Sequence, residues 1–461
     1  MKKIKDLNKV HLIGIGGIGV SAVAKLLFDY GKEVSGSDAG GASDLTENLK
    51  SSGVKIFYNH ATENVPDDAD LVIYSSAVPS DNPERLAADR YSIEQLSYAE
   101  FLGELTLEKK TIAVSGTHGK STTTAMIGKI FEKAGLDPTV IVGTKVPGFD
   151  GNLRLGKSDL LILEACEWKA NMLKLSPTTI VLTNVEEDHL DFYKDLTDIK
   201  NHFQKYLDSL PLDNGFLAYN GDDENIAELT KTKGYVLSAW GLDNSEVDVL
   251  GKELTIKDHK QFFIVNNFTY SLTVPGNYNV YNALAAITVA KHFGIEDKII
   301  ASALEQFTGT WRRFEIVGSA KDVQGSLVIS DYAHHPTAVS SVIKAAKDFY
   351  PDHRLVLLFQ PHHYDRTAKL FDDFVKCFDR SDVAVICEVY DVLGRQEDGL
   401  HTVSSKDLVE AAKKNQPGKE IIYAPNILES EKIISNLLQP NDVLLVVGAG
   451  DIDKVARDLI E

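Results

Sequence analysis

The segment Gly116-Thr117-His118-Gly119-Lys120-Ser121-Thr122 holds the residue types that bind a polyphosphate. Small residues let backbone N–H groups approach phosphate oxygens. Lys120 adds a full positive charge, and the Ser121 hydroxyl can hold Mg²⁺. The long form of such a loop would place glycine at position 114, where Val114 stands, so this is a shortened variant. Thr111–Val114 before it reads as a buried parallel strand. The apolar spacing of Ala125–Phe131 after it reads as a helix.

A second glycine pattern lies near the N-terminus. Gly14, Gly16 and Gly19 follow the apolar run Val10–Ile13, and Asp38 ends the next strand. The pattern fits a dinucleotide fingerprint, with Asp38 on a ribose hydroxyl of NAD. Any nucleotide diphosphate can use the same turn at Gly16, Gly17, Ile18 and Gly19. Ser75 and Ser76 follow a later strand and are expected at the same crevice.

Carboxylates and imidazoles cluster after further strands. Glu164 and Glu167 follow Leu160–Leu163. Asn184, Glu186, Glu187, Asp188 and His189 follow Thr179–Thr183. Carboxylates at strand ends beside a phosphate loop suit Mg²⁺, which also offsets their mutual repulsion. Two more polar loops occur later: Asp331-Tyr332-Ala333-His334-His335-Pro336-Thr337 and Gln360-Pro361-His362-His363-Tyr364-Asp365-Arg366-Thr367. Adjacent histidines point in different directions, and no acidic or cysteine partner has metal spacing, which argues against zinc. Arg312 and Arg313 are candidates for clamping phosphate from a joint between domains.

Strands alternating with helices must position these loops, which implies parallel sheets. The pattern changes to residue-by-residue alternation over 247–274, an expected antiparallel ribbon. At 461 residues the chain is too long for one core. Three consecutive α/β domains are expected, over 1–106, 107–314 and 315–461. A net charge of −19 argues against nucleic acid and anionic membrane as partners. Three cysteines without metal or disulfide spacing fit a reducing cytoplasm, and no apolar stretch reaches membrane-span length.

Taken in order, these motifs resemble the Mur ligases, together with Gly276-Asn277-Tyr278-Asn279-Val280-Tyr281-Asn282, Arg312-Arg313-Phe314 and Phe359-Gln360-Pro361-His362. They span nearly the whole chain. The resemblance implies a Rossmann-like UDP-binding domain, a central P-loop ATPase domain and a C-terminal Rossmann-like domain. It implies ATP-dependent ligation of L-alanine to the muramyl carboxylate of UDP-N-acetylmuramate through an acyl phosphate, with two Mg²⁺ ions. The chain would work as a monomer or homodimer in the cytoplasm. Lys120, Glu164, His189 and Arg366 would be catalytic. Gly116 to Thr122, Asn279, Asn282, Arg313 and Asp331 would hold ATP, and Ser121, Glu164 and His189 the metal. Gly16, Gly17, Ile18, Gly19, Asp38, Ser75 and Ser76 would bind the sugar nucleotide. Tyr332, His334, His362, His363 and Arg366 would receive the amino acid. His363 and Asp365 stand where members that use alanine commonly carry Arg and Thr. The alternatives are a ligase that attaches a preformed stem tripeptide in cell-wall recycling, a NAD-dependent oxidoreductase, and a nucleotide-switched binding protein.

Overall fold

The computed structural model describes residues 3–190, 192–230, 234–390 and 403–460. Its elements form two compact units. One comprises residues 1–252, 264–270 and 281–307, the other 253–263, 271–280 and 308–461.

The first unit opens with β1 (Lys9–Ile13), α1 (Ile18–Asp29), β2 (Glu33–Ser37), α2 (Asp44–Ser52), β3 (Lys55–Phe57), β4 (Leu71–Tyr74), α3 (Pro83–Arg90), β5 (Gln95–Ser97) and α4 (Tyr98–Glu108). The strands form a parallel sheet in the order β3-β2-β1-β4-β5. Strand order reverses around β1, so a crevice opens at the carboxyl ends of β1, β2 and β4. Ser43 and Ser97 start α2 and α4 with capping boxes. At Gly19 a Cβ would collide with the Tyr98 ring, so only glycine lets α1 approach α4 this closely.

The same unit continues with β6 (Lys110–Ser115), α5 (Lys120–Lys133), β7 (Thr139–Ile141), β8 (Leu153–Arg154), β9 (Leu160–Glu164), β10 (Thr179–Leu182), α6 (Leu196–Leu207), β11 (Phe216–Asn220), α7 (Glu224–Leu229), β12 (Val236–Gly241) and β13 (Val249–Leu250). These strands make an eight-stranded sheet, β13-β12-β11-β10-β6-β9-β7-β8, parallel except at the β7–β8 edge. β6, β9 and β10 are apolar and almost wholly buried, as strands covered on both faces must be. One apolar cluster runs from Val10 and Leu26 through Phe101 and Leu105 to Met172 and Phe203. Burial across the joint near residue 106 therefore makes the first two sheets one compact unit.

The alternating segment forms a three-stranded ribbon, β14 (Lys252–Lys257), β15 (Lys260–Val265) and β16 (Phe268–Leu272). β15 buries every second residue, as its sequence pattern predicts. α8 (Asn277–His292) and α9 (Asp297–Glu305) follow.

The second unit carries β17 (Glu315–Gly318), β18 (Leu327–Asp331), α10 (Pro336–Phe349), β19 (Leu355–Phe359), α11 (Tyr364–Lys369), α12 (Phe371–Lys376), β20 (Val383–Cys387), α13 (Ser405–Asn415), β21 (Glu420–Ala424), α14 (Ile427–Leu437), β22 (Val443–Val447) and α15 (Asp453–Asp458). Its sheet order is β17-β18-β22-β19-β20-β21, with only β17 antiparallel. The loops after β18 and β19 therefore flank the loop after β22. Among the described residues, no helix is long and apolar enough to cross a membrane.

Candidate functional site

The phosphate loop joins β6 to α5. Gly116 and Gly119 have φ of +129° and +82°, conformations that favour glycine. At Gly116 a Cβ would strike Thr183 Oγ1, and at Gly119 it would strike Asn282 Oδ1. The loop is laced to the segment after β10. Thr117 N–H donates to Asn184 O (3.0 Å) and His118 N–H to Asn184 Oδ1 (2.8 Å). Asn184 Nδ2 and Thr183 Oγ1 both donate to His118 O. No side chain caps the start of α5. Its first N–H groups and partial positive charge are therefore available to an anion. Ser121 Oγ takes no partner among the described residues.

Lys120 Nζ donates to Gly116 O (2.6 Å) and Thr117 O (3.0 Å), and lies 2.9 Å from Glu167 Oε2. Burial works against both charges, but their mutual attraction outweighs it. The Lys120 pKa is raised and that of Glu167 is lowered, with His189 also favouring the carboxylate. Glu167 Oε1 is 3.4 Å from His189 Nε2, and Tyr193 OH donates to the Glu167 carbonyl. Glu164, the carboxylate singled out from sequence as a metal ligand, accepts the Gly143 N–H from the loop after β7. The side chain that meets both Lys120 and His189 is Glu167. The signal available in sequence was only a second acid three residues after Glu164. Asn282 Oδ1, on α8, accepts from Thr123 Oγ1 in the first turn of α5 (3.2 Å).

At the carboxyl ends of β1, β2 and β4 lies a cavity of about 590 Å³, lined by Gly14, Gly17, Asp38, His60, Ser75 and Asn82 among others. Asp38 Oδ2 accepts the Gly16 N–H and Oδ1 the Gly40 N–H, both at 2.8 Å. It fixes the glycine turn as well as lining the cavity. Ile18 begins α1, and its carbonyl takes the Asn152 amide. His60 and Asn82 were not anticipated, because neither belongs to a motif.

In the second unit, Asp331 is buried. Its carboxylate accepts the Phe314 N–H (2.7 Å) and Ala333 N–H (2.8 Å). Burial raises its pKa despite the pull of Arg313 and these N–H groups. The Arg313 guanidinium lies 5.0 Å from the Tyr332 ring centre. Arg312 is a tie within the unit, donating to Gly448 O and Gly450 O. Tyr332, His334, His362 and His363 gather at the ends of β18 and β19. Ring centres are 5.4 Å apart for Tyr332–His334, 5.9 Å for His334–His362 and 4.2 Å for His362–His363. Asp365 pairs with Lys369 at 2.7 Å one turn along α11, the helix that also carries Arg366. Asn279 belongs to this unit and donates to Pro275 O at 2.7 Å.

The first unit thus offers a polyphosphate cradle with hard oxygen donors beside it, a donor set suited to Mg²⁺. It also offers a separate nucleotide-sized cavity. Three family models match the chain. They are the Mur ligase family, catalytic domain over residues 9–110, the Mur ligase middle domain over 114–290, and the Mur ligase, glutamate ligase domain over 312–450. A UDP-N-acetylmuramate–L-alanine ligase from Clostridium botulinum (strain Langeland) is 41% identical over 460 residues, covering 98% of each chain. One of the same name from Sulfurihydrogenibium sp. is 38% identical over 454 residues, covering 98% of this chain and 97% of that one. The crystal structure of a UDP-N-acetylmuramate-alanine ligase from Thermotoga maritima superposes with a TM-score of 0.82 at 31% identity, covering 98% of both chains.

Proposed function

The chain belongs to the Mur ligase family, and from that premise we propose that it joins L-alanine to the muramyl carboxylate of UDP-N-acetylmuramate at the expense of ATP, in peptidoglycan precursor synthesis. The carboxylate is activated as an acyl phosphate with release of ADP. The amine nitrogen of alanine then displaces phosphate to form the amide. The observation that carries this reading is the match, over 98% of each chain, to an alanine ligase of a chain whose α5 starts uncapped behind the phosphate loop, with Lys120 and Ser121 in its first turn.

Each residue then has a task. The N–H groups at the start of α5, with Lys120, hold and align the ATP phosphates. Ser121, Glu164, Glu167 and His189 would hold Mg²⁺, two ions in this reading, which would neutralise the charge of the phosphates and the carboxylate. Asn279, Asn282, Arg313 and Asp331 contact the nucleotide. Gly16, Gly17, Ile18 and Gly19 receive the diphosphate of the sugar nucleotide in the first cavity, with Ser75 and Ser76 beside it. Tyr332, His334, His362, His363 and Arg366 receive alanine. The substrates are water-soluble anions and a free amino acid, consistent with work in the cytoplasm.

The test is phosphate release from ATP and Mg²⁺ with UDP-N-acetylmuramate, against single amino acids and a stem tripeptide, with the product identified by mass spectrometry. Release dependent on L-alanine with an amide product is expected. Release only with tripeptide would assign the enzyme to recycling, and release with no acceptor would remove the ligase reading.

A further inference from the structure

Beneath the first cavity lies a polar network with no part in the motifs. His11, on β1, and Glu84, on α3, are both fully buried. A buried carboxylate is costly unless donors surround it, and Glu84 has four. Oε1 accepts from Ala61 N–H (3.2 Å) and Asn64 Nδ2 (2.7 Å). Oε2 accepts from the Ser37 hydroxyl and from His11 Nε2 (3.4 Å). Burial alone would raise the Glu84 pKa. The His11, Ser37 and Asn64 contacts outweigh it and hold the carboxyl below its ordinary range, so Glu84 is an anion.

That arrangement dictates where a proton sits on His60. Ser37 has one hydroxyl hydrogen, and it is spent on Glu84. Toward His60, whose Nδ1 lies 3.0 Å away, Ser37 Oγ can therefore only accept. His60 must carry its proton on Nδ1. A neutral imidazole protonated there has a lone pair on Nε2, and Nε2 has no partner among the described residues. The His60 side chain is 23% exposed and lines the cavity with Gly14, Asp38 and Asn82.

In a sheet of this order a diphosphate sits at the start of α1, and the carboxyl end of β2 faces the nucleoside. His60 touches Ser37, the last residue of β2. We propose that Glu84, acting through Ser37, locks His60 in the Nδ1–H tautomer, so that Nε2 accepts a hydrogen bond from the uridine half of the substrate. The donor is the imide N–H of the base or a ribose hydroxyl. His60 is the contact and Glu84 a positioning residue. The inference rests on the cavity being the UDP site.

Calorimetric titration of the intact enzyme with UDP separates the two ideas. If wild-type enzyme does not bind UDP, the site assignment itself fails. If it binds, His60→Ala is expected to weaken UDP about tenfold and Glu84→Gln several-fold. With 3-methyl-UDP or 2′-deoxy-UDP, the ligand for which His60→Ala no longer costs affinity identifies the donor. Long-range ¹H–¹⁵N spectra of histidine-labelled enzyme give a readout that a merely structural role would not move. His60 is expected in the Nδ1–H tautomer in wild-type enzyme and as a tautomer mixture in Glu84→Gln. Undiminished UDP binding by His60→Ala, or a wild-type His60 protonated on Nε2, overturns the proposal. The wild-type spectrum decides it even if both variants fail to fold.

Discussion

Lys120 Nζ lies 2.9 Å from Glu167 Oε2 and 3.0 Å from Oε1. The cation of the phosphate loop is thus held by a carboxylate from the segment after β9. A nucleotide phosphate must share or replace that contact. The same carboxylate reaches His189, so Glu167 links the phosphate-loop cation to the imidazole after β10.

Glu167→Gln is therefore expected to destabilise the nucleotide-free enzyme by on the order of 3 kcal/mol, because it strands a buried cation. The two loop carbonyls that Lys120 already contacts keep the loss from being larger. ATP phosphates replace the missing negative charge, so the rise in Tm on adding metal-free ATP should be greater in the variant than in wild type. Differential scanning fluorimetry in EDTA, with and without ATP, measures both. An equal or smaller increment would mean that Glu167 does not compete with phosphate for Lys120.

Gly119 gives a second expectation. Its φ of +82° costs any other L-residue about 1–2 kcal/mol, and a Cβ there would also displace Asn282 Oδ1. Gly119→Ala should lower stability and weaken ATP tenfold or more. Asn282→Ala should weaken ATP while leaving the loop conformation intact. Calorimetric ATP titration of both variants checks this, and unchanged affinity in Asn282→Ala would remove that residue from the nucleotide site.

The glycine loops were legible because their signal is local: a strand, a required positive φ and a helix start lie within a dozen residues. The meeting of Glu167 with Lys120 and His189 was not. It depends on how the chain turns after β9, where Lys169 and Ala170 adopt left-handed conformations inside a short 3-10 segment, and no apolar period encodes that turn. The Glu84 network was invisible for a different reason. His11, Ser37, His60 and Glu84 come from four separate places in the chain, and His11 within an apolar strand looks like core. Asn279 and Asn282 fit one motif three residues apart, yet Asn279 bonds Pro275 O and Asn282 meets Thr123. Spacing alone does not tell such roles apart.

Glu84 also sets an acid limit on stability. Its folded pKa is depressed below the ordinary value of 4.5, so its contribution is fully present above that value and is lost as pH falls through the folded one. The titratable groups facing it are His11 and His60. Glu84→Gln should cost about 2 kcal/mol at neutral pH, the scale of hydrogen bonds to a charged group. Its stability should then fall less steeply than that of wild type between about pH 5 and pH 3. Urea unfolding across that range tests the sign. A variant curve parallel to wild type would mean that Glu84 is not the group responsible.

His363 holds the last expectation. It sits at φ +70° and ψ +129° before α11, backbone space that is nearly reserved for glycine and costs a histidine about 1–3 kcal/mol. Three hydrogen bonds keep it there. His363 N–H donates to Tyr390 O (3.1 Å), and its carbonyl accepts both the Thr367 N–H (3.1 Å) and the Thr367 hydroxyl (2.8 Å). Strain retained beside the candidate amino-acid pocket has a physical reason if the imidazole contacts the acceptor. His363→Gly relieves the strain but gives back about 0.5–1 kcal/mol in unfolded-chain entropy. A net gain of about 1 kcal/mol is expected, with the KM for L-alanine raised several-fold and kcat little changed. If the variant is stabilised and the KM does not move, the strain serves the loop and not the amino acid. If it is destabilised, the imidazole contributes more to packing with His362 than the backbone conformation costs.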